Sequence, residues 1–200
     1  MIDGVIDDGG VTLKLFKEYK ERRLQLKKVR TGDILLFPHG DDWLTKIIAY
    51  GTKSKYSHVS IVASSPMNVM IEAAGCRVRA TDIRTVNRNF DIYRVRTSYK
   101  GEKVYFNTNT TVSHLVSKLN SRYDFLGVAY LGLLKALAYV GIPIKHKANK
   151  WQKDKDYFCS ELTWECFQRG GIDICPNQPD RAEVISPGDI ARSPILKKVV

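Results

Sequence analysis

Paired cysteines are absent from this 200-residue chain. Cys76, Cys159, Cys166 and Cys175 form no C-x-x-C pair and no His/Cys cluster with zinc-ligand spacing. That excludes a zinc ribbon and a disulfide-stapled scaffold, and no metal or other cofactor is expected. Reduced thiols point to an intracellular compartment. Met1-Ile2-Asp3-Gly4 offers acid and glycine where a secretory signal needs a basic stretch and then an apolar one, so no signal peptide is expected and the location reads as cytoplasmic. There is no internal repeat, no low-complexity tract and no Pro/Gly/Ser-rich linker. With 44% hydrophobic residues the chain can bury a sizeable core, and one domain over residues 1–200 is the expectation.

Acidic residues are also few, 21 against 32 Lys and Arg, for a net charge of +11. Much of the excess is local. Lys14, Lys17, Lys20, Arg22, Arg23, Lys27, Lys28 and Arg30 crowd a basic helical extension over residues 1–30. Leu13, Phe16, Tyr19, Leu24 and Leu26 give it an apolar side with which to pack on the domain. A solvated basic face is the first reading and an anionic membrane surface the second. Nucleic acid is not expected as a partner, because no recognition motif accompanies the charge.

One long apolar run exists, Leu126–Ile144, interrupted by Lys135 alone among charged residues. It approaches the ~20 residues of a membrane span. A central lysine costs about 2.5–3.5 kcal/mol on insertion scales, and the run lies between elements of one domain, so a span is rejected. It reads as an apolar helical insertion over 126–144, either plain core or the wall of an acyl pocket, with Leu133 and Leu137 as candidate lining residues.

The chemistry concentrates downstream of that run. After Cys159, Leu162, Cys166 and Phe167 recur at helical spacing, and Gly170-Gly171 supplies a stop. Cys159 therefore belongs to the first turn of a helix, with Asp156 as its expected N-cap. The partial positive charge of a helix N-terminus favours thiolate, and Lys153 and Lys155 add to the field. A lone cysteine there is more often a small buried residue, so partners decide. His58 lies in Tyr56–Ala63, where Val59 and Ile61 alternate with His58, Ser60 and Val62, a strand pattern. Ser64-Ser65-Pro66-Met67-Asn68 has hairpin composition and leads to a second apolar strand, Val69–Ala73. A hairpin centred near Pro66 pairs Ser60 with Glu72 and His58 with Ala74. Glu72 then lies diagonal to His58, roughly 7–8 Å away at Cβ, within reach of a long side chain. Thiol, imidazole and orienting carboxylate make a nucleophile–base–orienter set.

Thr31-Gly32-Asp33-Ile34-Leu35-Leu36, Tyr56-Ser57-His58-Val59, Ile71-Glu72-Ala73, Tyr123-Asp124 and Phe158-Cys159-Ser160-Glu161-Leu162 together resemble the NlpC-type papain-like cysteine hydrolases. The resemblance is to their circularly permuted branch, which holds YiiX-type proteins and the lecithin:retinol acyltransferase group, because the histidine strand precedes the cysteine helix. It runs from about residue 31 to Ser186-Pro187-Gly188-Asp189-Ile190. It implies an α+β, papain-like fold of permuted topology, an antiparallel sheet packed against helices. Carried over by position, it makes Cys159 the nucleophile, His58 the general base and Glu72 the third polar residue. The acyltransferase group has histidine in that third role, so this chain sits closer to the YiiX type.

Other residues are placed more loosely. Asp41 or Asp42 caps a helix carrying Trp43, which either walls the substrate groove, as the resemblance implies, or packs in the core; Tyr56 is a further candidate for substrate contact. Val78 and Phe90–Val95 read as two more strands, and Thr110 or Thr111 as the cap of a helix on which His114 faces solvent. The Cys159 backbone N–H, with the Tyr123 hydroxyl, would stabilise an oxyanion. The expected activity is amide hydrolysis through a Cys159 thioester, on an N-acyl amino acid, a lipid amide or a cell-wall-type peptide. Acyl transfer by the same residues, and a non-catalytic lipid- or peptide-binding module, are the alternatives.

Overall fold

The computed structural model describes residues 20–40, 46, 53–75, 77–123, 156–157, 159–177 and 185–199. Trp43, Leu133, Leu137 and Cys76 lie outside them, as does the 126–144 run. After a helical stretch at residues 20–26 (α1), the elements run β1 (Ile34–Pro38), β2 (Tyr56–Ser64), β3 (Val69–Ala74), β4 (Arg77–Asp82), a 3-10 turn (Ile83–Thr85), β5 (Asp91–Val95), β6 (Ser98–Tyr99) and β7 (Glu102–Lys103). There follow α2 (Thr108–Ser117), β8 (Arg122–Tyr123), β9 (Asp156–Tyr157), α3 (Cys159–Arg169), α4 (Pro187–Ala191) and β10 (Leu196–Lys198).

The main sheet has the order β10-β5-β1-β2-β3-β4-β8-β9. Every described pairing in it is antiparallel except β8 with β9. The α+β class expected from the sequence is thus the class observed. The period of two along the central strands separates two apolar clusters. Ile34, Leu36, Val59, Ile61, Ile71 and Ala73 pack with Leu162, Cys166 and Phe167 of α3. Leu35, Phe37, Val62, Met70 and Ile92 pack instead with Ile83, Phe90 and Val29. Full burial of Leu162 or Phe167 stabilises the fold by about 1.5–3 kcal/mol each.

Residues 20–26 cover the second cluster through Leu26. Arg22 is not part of a solvated basic face: its guanidinium donates to the carbonyl of Val86 and lies over the Phe90 ring at 5.6 Å. Lys20, Arg23, Lys27, Lys28 and Arg30 are exposed, as the solvated reading expected.

Two caps differ from expectation. Asn107 caps α2, accepting from the Thr110 N–H at 3.0 Å, so Thr110 and Thr111 lie inside the helix. Asn107 is the better cap because its carbonyl reaches the exposed N–H groups without competing for its own helix. Asp156 is not the cap of α3; it lies in β9, paired with Arg122. His114, expected in solvent, binds Glu165 Oε1 at 2.8 Å across the α2–α3 contact, with Lys118 on the same oxygen at 3.2 Å.

The Gly170-Gly171 stop is as read. The N–H of Ile172 bonds Phe167 O at 3.0 Å and that of Gly171 bonds Gln168 O at 3.0 Å, the double closure of a helix end, with Gly171 at φ +91°. Gly170 is required for a different reason. A Cβ there would stand 2.1 Å from Thr111 Oγ1, so its absence lets α2 approach α3.

Candidate active site

The β2–β3 hairpin sets the register of the site. Ile61 pairs with Ile71 and Val62 with Met70, a register that, continued along the strands, puts Ser60 opposite Glu72 and His58 opposite Ala74, as the turn composition implied. His58 Nε2 lies 2.8 Å from Glu72 Oε2. Both residues are buried, at 8% and 3% exposure, and the imidazole ring packs against Phe37 at 5.5 Å.

A bulge precedes His58. Phe37 pairs with His58 but Pro38 pairs with Tyr56, so Ser57 is an extra residue in β2. Without it, Tyr56 and Val59 would face opposite sides of the sheet; with it, both join the cluster under α3. Tyr56, expected at the substrate, is a core residue instead. It is 4% exposed, and its hydroxyl bonds the Asp91 carboxylate and the Tyr93 hydroxyl. The bulge carries it inward, where a phenol must find partners. Ser57 Oγ is buried without a hydrogen-bond partner.

Cys159 is the first residue of α3, buried at 7% exposure. Its position is held from two sides. Thr163 Oγ1 donates to the Cys159 carbonyl at 2.8 Å, and Ser160 Oγ donates to Ile185 O at 2.5 Å. Ile185 leads directly into α4, whose Ser186–Asp189 capping box closes with Ser186 N–H on Asp189 Oδ2 at 2.9 Å. Cys159 lies near enough to His58 to raise its imidazole together with Glu72. With Nε2 on the carboxylate, Nδ1 is the nitrogen left for the sulfur. The three residues singled out in the sequence are therefore brought together.

The electrostatics follow from that contact. Burial pushes the His58 imidazolium down, but the Glu72 carboxylate and the neighbouring Cys159 outweigh burial and raise it to about 9. Burial likewise pushes the Glu72 carboxyl up, and His58, Thr81 and Arg79 together bring it down to about 2. Glu72 is thus an anion across the neutral range, and His58 is held in its cationic form there.

Sequence reasoning missed Arg79 and Thr81. On β4 they face Glu72, and Oε1 accepts from Arg79 Nε at 3.1 Å, Arg79 Nη2 at 3.0 Å and Thr81 Oγ1 at 3.0 Å. The signal was present in Arg77-Val78-Arg79-Ala80-Thr81, a polar alternation that lies opposite β3 once the second turn is recognised. Tyr123 lies in β8, paired with Tyr157; the direction of its side chain is outside what is described.

No protein-family model and no curated protein matches the chain. Among solved structures, the metalloprotein yiiX from Escherichia coli O157:H7 matches at a TM-score of 0.60 and 19% identity, over 86% of this chain and 96% of that one. The fold is of the yiiX type. At that identity the likeness speaks for architecture, and the chemistry rests on the side chains described above.

Proposed function

We propose that the chain is a cysteine hydrolase of the permuted papain-like kind, cleaving an amide through a thioester on Cys159. The observation that carries this reading is the buried His58 side chain, bonded to Glu72 and raised by the cysteine that opens α3. The thiolate attacks the amide carbonyl, forming the C–S bond, and the tetrahedral oxyanion is met by the Cys159 backbone N–H, free at a helix start. The His58 imidazolium gives its proton to the leaving amine as the C–N bond breaks. Neutral His58 then takes a proton from water, whose oxygen attacks the thioester and releases acid and thiolate. Glu72 holds the ring in one orientation throughout and stays ionised. The histidine strand precedes the cysteine helix in the chain, the order of the permuted branch.

The substrate class proposed is an N-acyl amino acid or lipid amide, resting on the apolar composition of residues 126–144. A cell-wall-type peptide, acyl transfer to an amine or alcohol, and non-catalytic binding are the outcomes against which it is tested. Although yiiX is called a metalloprotein, the residues here do not fit a metal. Glu72 Oε1 already holds a guanidinium and a hydroxyl and Oε2 an imidazole, and among the described residues no group of three or more His, Cys, Asp or Glu is placed to hold a metal ion. Incubation with N-acyl amides and short peptides, followed by mass spectrometry of the intact protein, tests the proposal. Acylation at Cys159 that water discharges supports it. Acyl groups released only to an added amine make the enzyme a transferase, and an unmodified Cys159 across the panel sinks the hydrolase reading.

A further inference from the structure

We propose that Arg79 and Thr81 are positioning residues for His58, acting through Glu72 by occupying one carboxylate oxygen so that the other is held on the imidazole. The inference rests on the hydrolase reading and adds two residues to it. Three donors, two from the Arg79 fork and one from Thr81, meet on Oε1 at 3.0–3.1 Å, while Oε2 alone faces His58 Nε2 at 2.8 Å. An unclamped carboxylate turns about its terminal bond and offers either oxygen, a torsion that is broad and nearly two-fold. Three donors on one oxygen remove that freedom. They also leave the imidazole a single partner in a single direction, which is what aims Nδ1 at the sulfur.

An ordinary surface ion pair would do none of this, and Arg79 is itself 59% exposed on its side chain. The difference lies in the partner. The Glu72 side chain is only 4% exposed, and a buried carboxylate needs its donors to remain ionised. The cross-strand register places the pair, since Arg79 is the Cα partner of Glu72 and Thr81 follows two positions along the same side of β4. The charged groups around Glu72 are His58 from β2, with Cys159 of α3 beyond it, and Arg79 from β4. Arg77 is next on that side of β4, with Arg122 of β8 as its own partner. Arg77 and Arg122 make no hydrogen bond to Glu72, so the clamp is specific to Arg79 and Thr81.

The sign of the effect follows. These donors hold the carboxyl low, so removing them lets Glu72 take a proton at higher pH. His58 then loses the carboxylate that holds and orients it, and Cys159 loses the aligned imidazole beside it. The test uses iodoacetamide as probe and follows the rate of Cys159 alkylation across the acid and neutral range. Wild type is compared with Arg79→Gln, Thr81→Val, the double variant and Arg79→Lys, each checked by thermal unfolding. The acid limb should move up in the double variant, so that at a fixed pH on the limb the rate falls about tenfold, one unit's worth. Arg79→Lys, which keeps charge but not the fork, should lie between. In turnover of any substrate found, kcat should fall with KM nearly unchanged.

A folded double variant with an unmoved limb and unmoved kcat overturns the proposal. If the double variant does not fold, Arg79→Gln alone decides, because that side chain is largely in solvent. His58→Ala separates this failure from failure of the hydrolase reading. If His58→Ala slows alkylation and the clamp variants do not, only the clamp is lost. If His58→Ala changes nothing, the cysteine–histidine pair itself is wrong.

Discussion

His58 and Glu72 bond at 2.8 Å although they are not cross-strand partners. The register continues to place Glu72 opposite Ser60, two residues from His58, and the carboxylate reaches across the diagonal. A glutamate spans that gap where an aspartate, one methylene shorter, would not. The arrangement depends on a hairpin register that a single-residue slip would destroy, since a slip turns every side chain to the other face.

Cys159 should be the selectively reactive thiol. Burial pushes Cys166 and Cys175 up to about 12, while Cys159 has an imidazole beside it. Iodoacetamide at neutral pH, followed by peptide mapping, should label Cys159 well before Cys166 or Cys175. Equal labelling of these thiols would remove the nucleophile.

Glu72→Gln should keep the fold and lower kcat by roughly 10²-fold with KM nearly unchanged, less than the loss in Cys159→Ala. The amide still fills the site, and Arg79, left without its carboxylate, is largely solvated. Wild-type turnover in this variant would assign the third role elsewhere.

Stability should change with pH in two windows. His58 is raised from 6.5 to about 9, so its contribution is complete below pH 6.5 and is lost as pH rises through 9. Glu72 is lowered from 4.5 to about 2, so its contribution is complete above pH 4.5 and is lost as pH falls toward 2. The two windows report one shared contact. Urea unfolding across pH should show both slopes, and His58→Ala should flatten the alkaline one; an unchanged alkaline slope in that variant would contradict the pairing.

Gly170→Ala should destabilise the protein by about 1–3 kcal/mol, because the new methyl would stand 2.1 Å from Thr111 Oγ1 and 3.2 Å from Asn107 O. Thr111→Ala in the same chain should recover part of that loss. Additive losses in chemical denaturation would show that the helices do not meet as closely as described.

For N-acyl substrates, kcat/KM should rise with chain length over several carbons, at roughly 0.8 kcal/mol per buried CH₂, and then level off. Leu133→Asp or Leu137→Asp should flatten the rise while leaving Cys159 alkylation intact. A flat response beside good turnover of a short peptide would make the enzyme a peptidase.

Local signals carried far in this chain. Alternation and turn composition were enough for the β2–β3 hairpin and its register, and helical spacing with a double glycine was enough for α3 and its end. Those elements hold His58, Glu72 and Cys159, so the candidate triad was legible before any coordinates. Such signals act over a few residues, and each of these elements is determined within its own stretch of chain.

What tertiary structure alone decided are the relations between stretches. Nothing local distinguishes a solvent-facing His114 from one held by Glu165, more than fifty residues on, or a groove-lining Tyr56 from one buried on Asp91 and Tyr93. The bulge at Ser57 that sends Tyr56 inward arises from pairing with β1, not from the sequence around it. Arg79 and Thr81 became visible as partners of Glu72 only when β4 was laid against β3. Their roles depend on which strand lies next to which, and that order is set by how the whole chain buries its apolar faces.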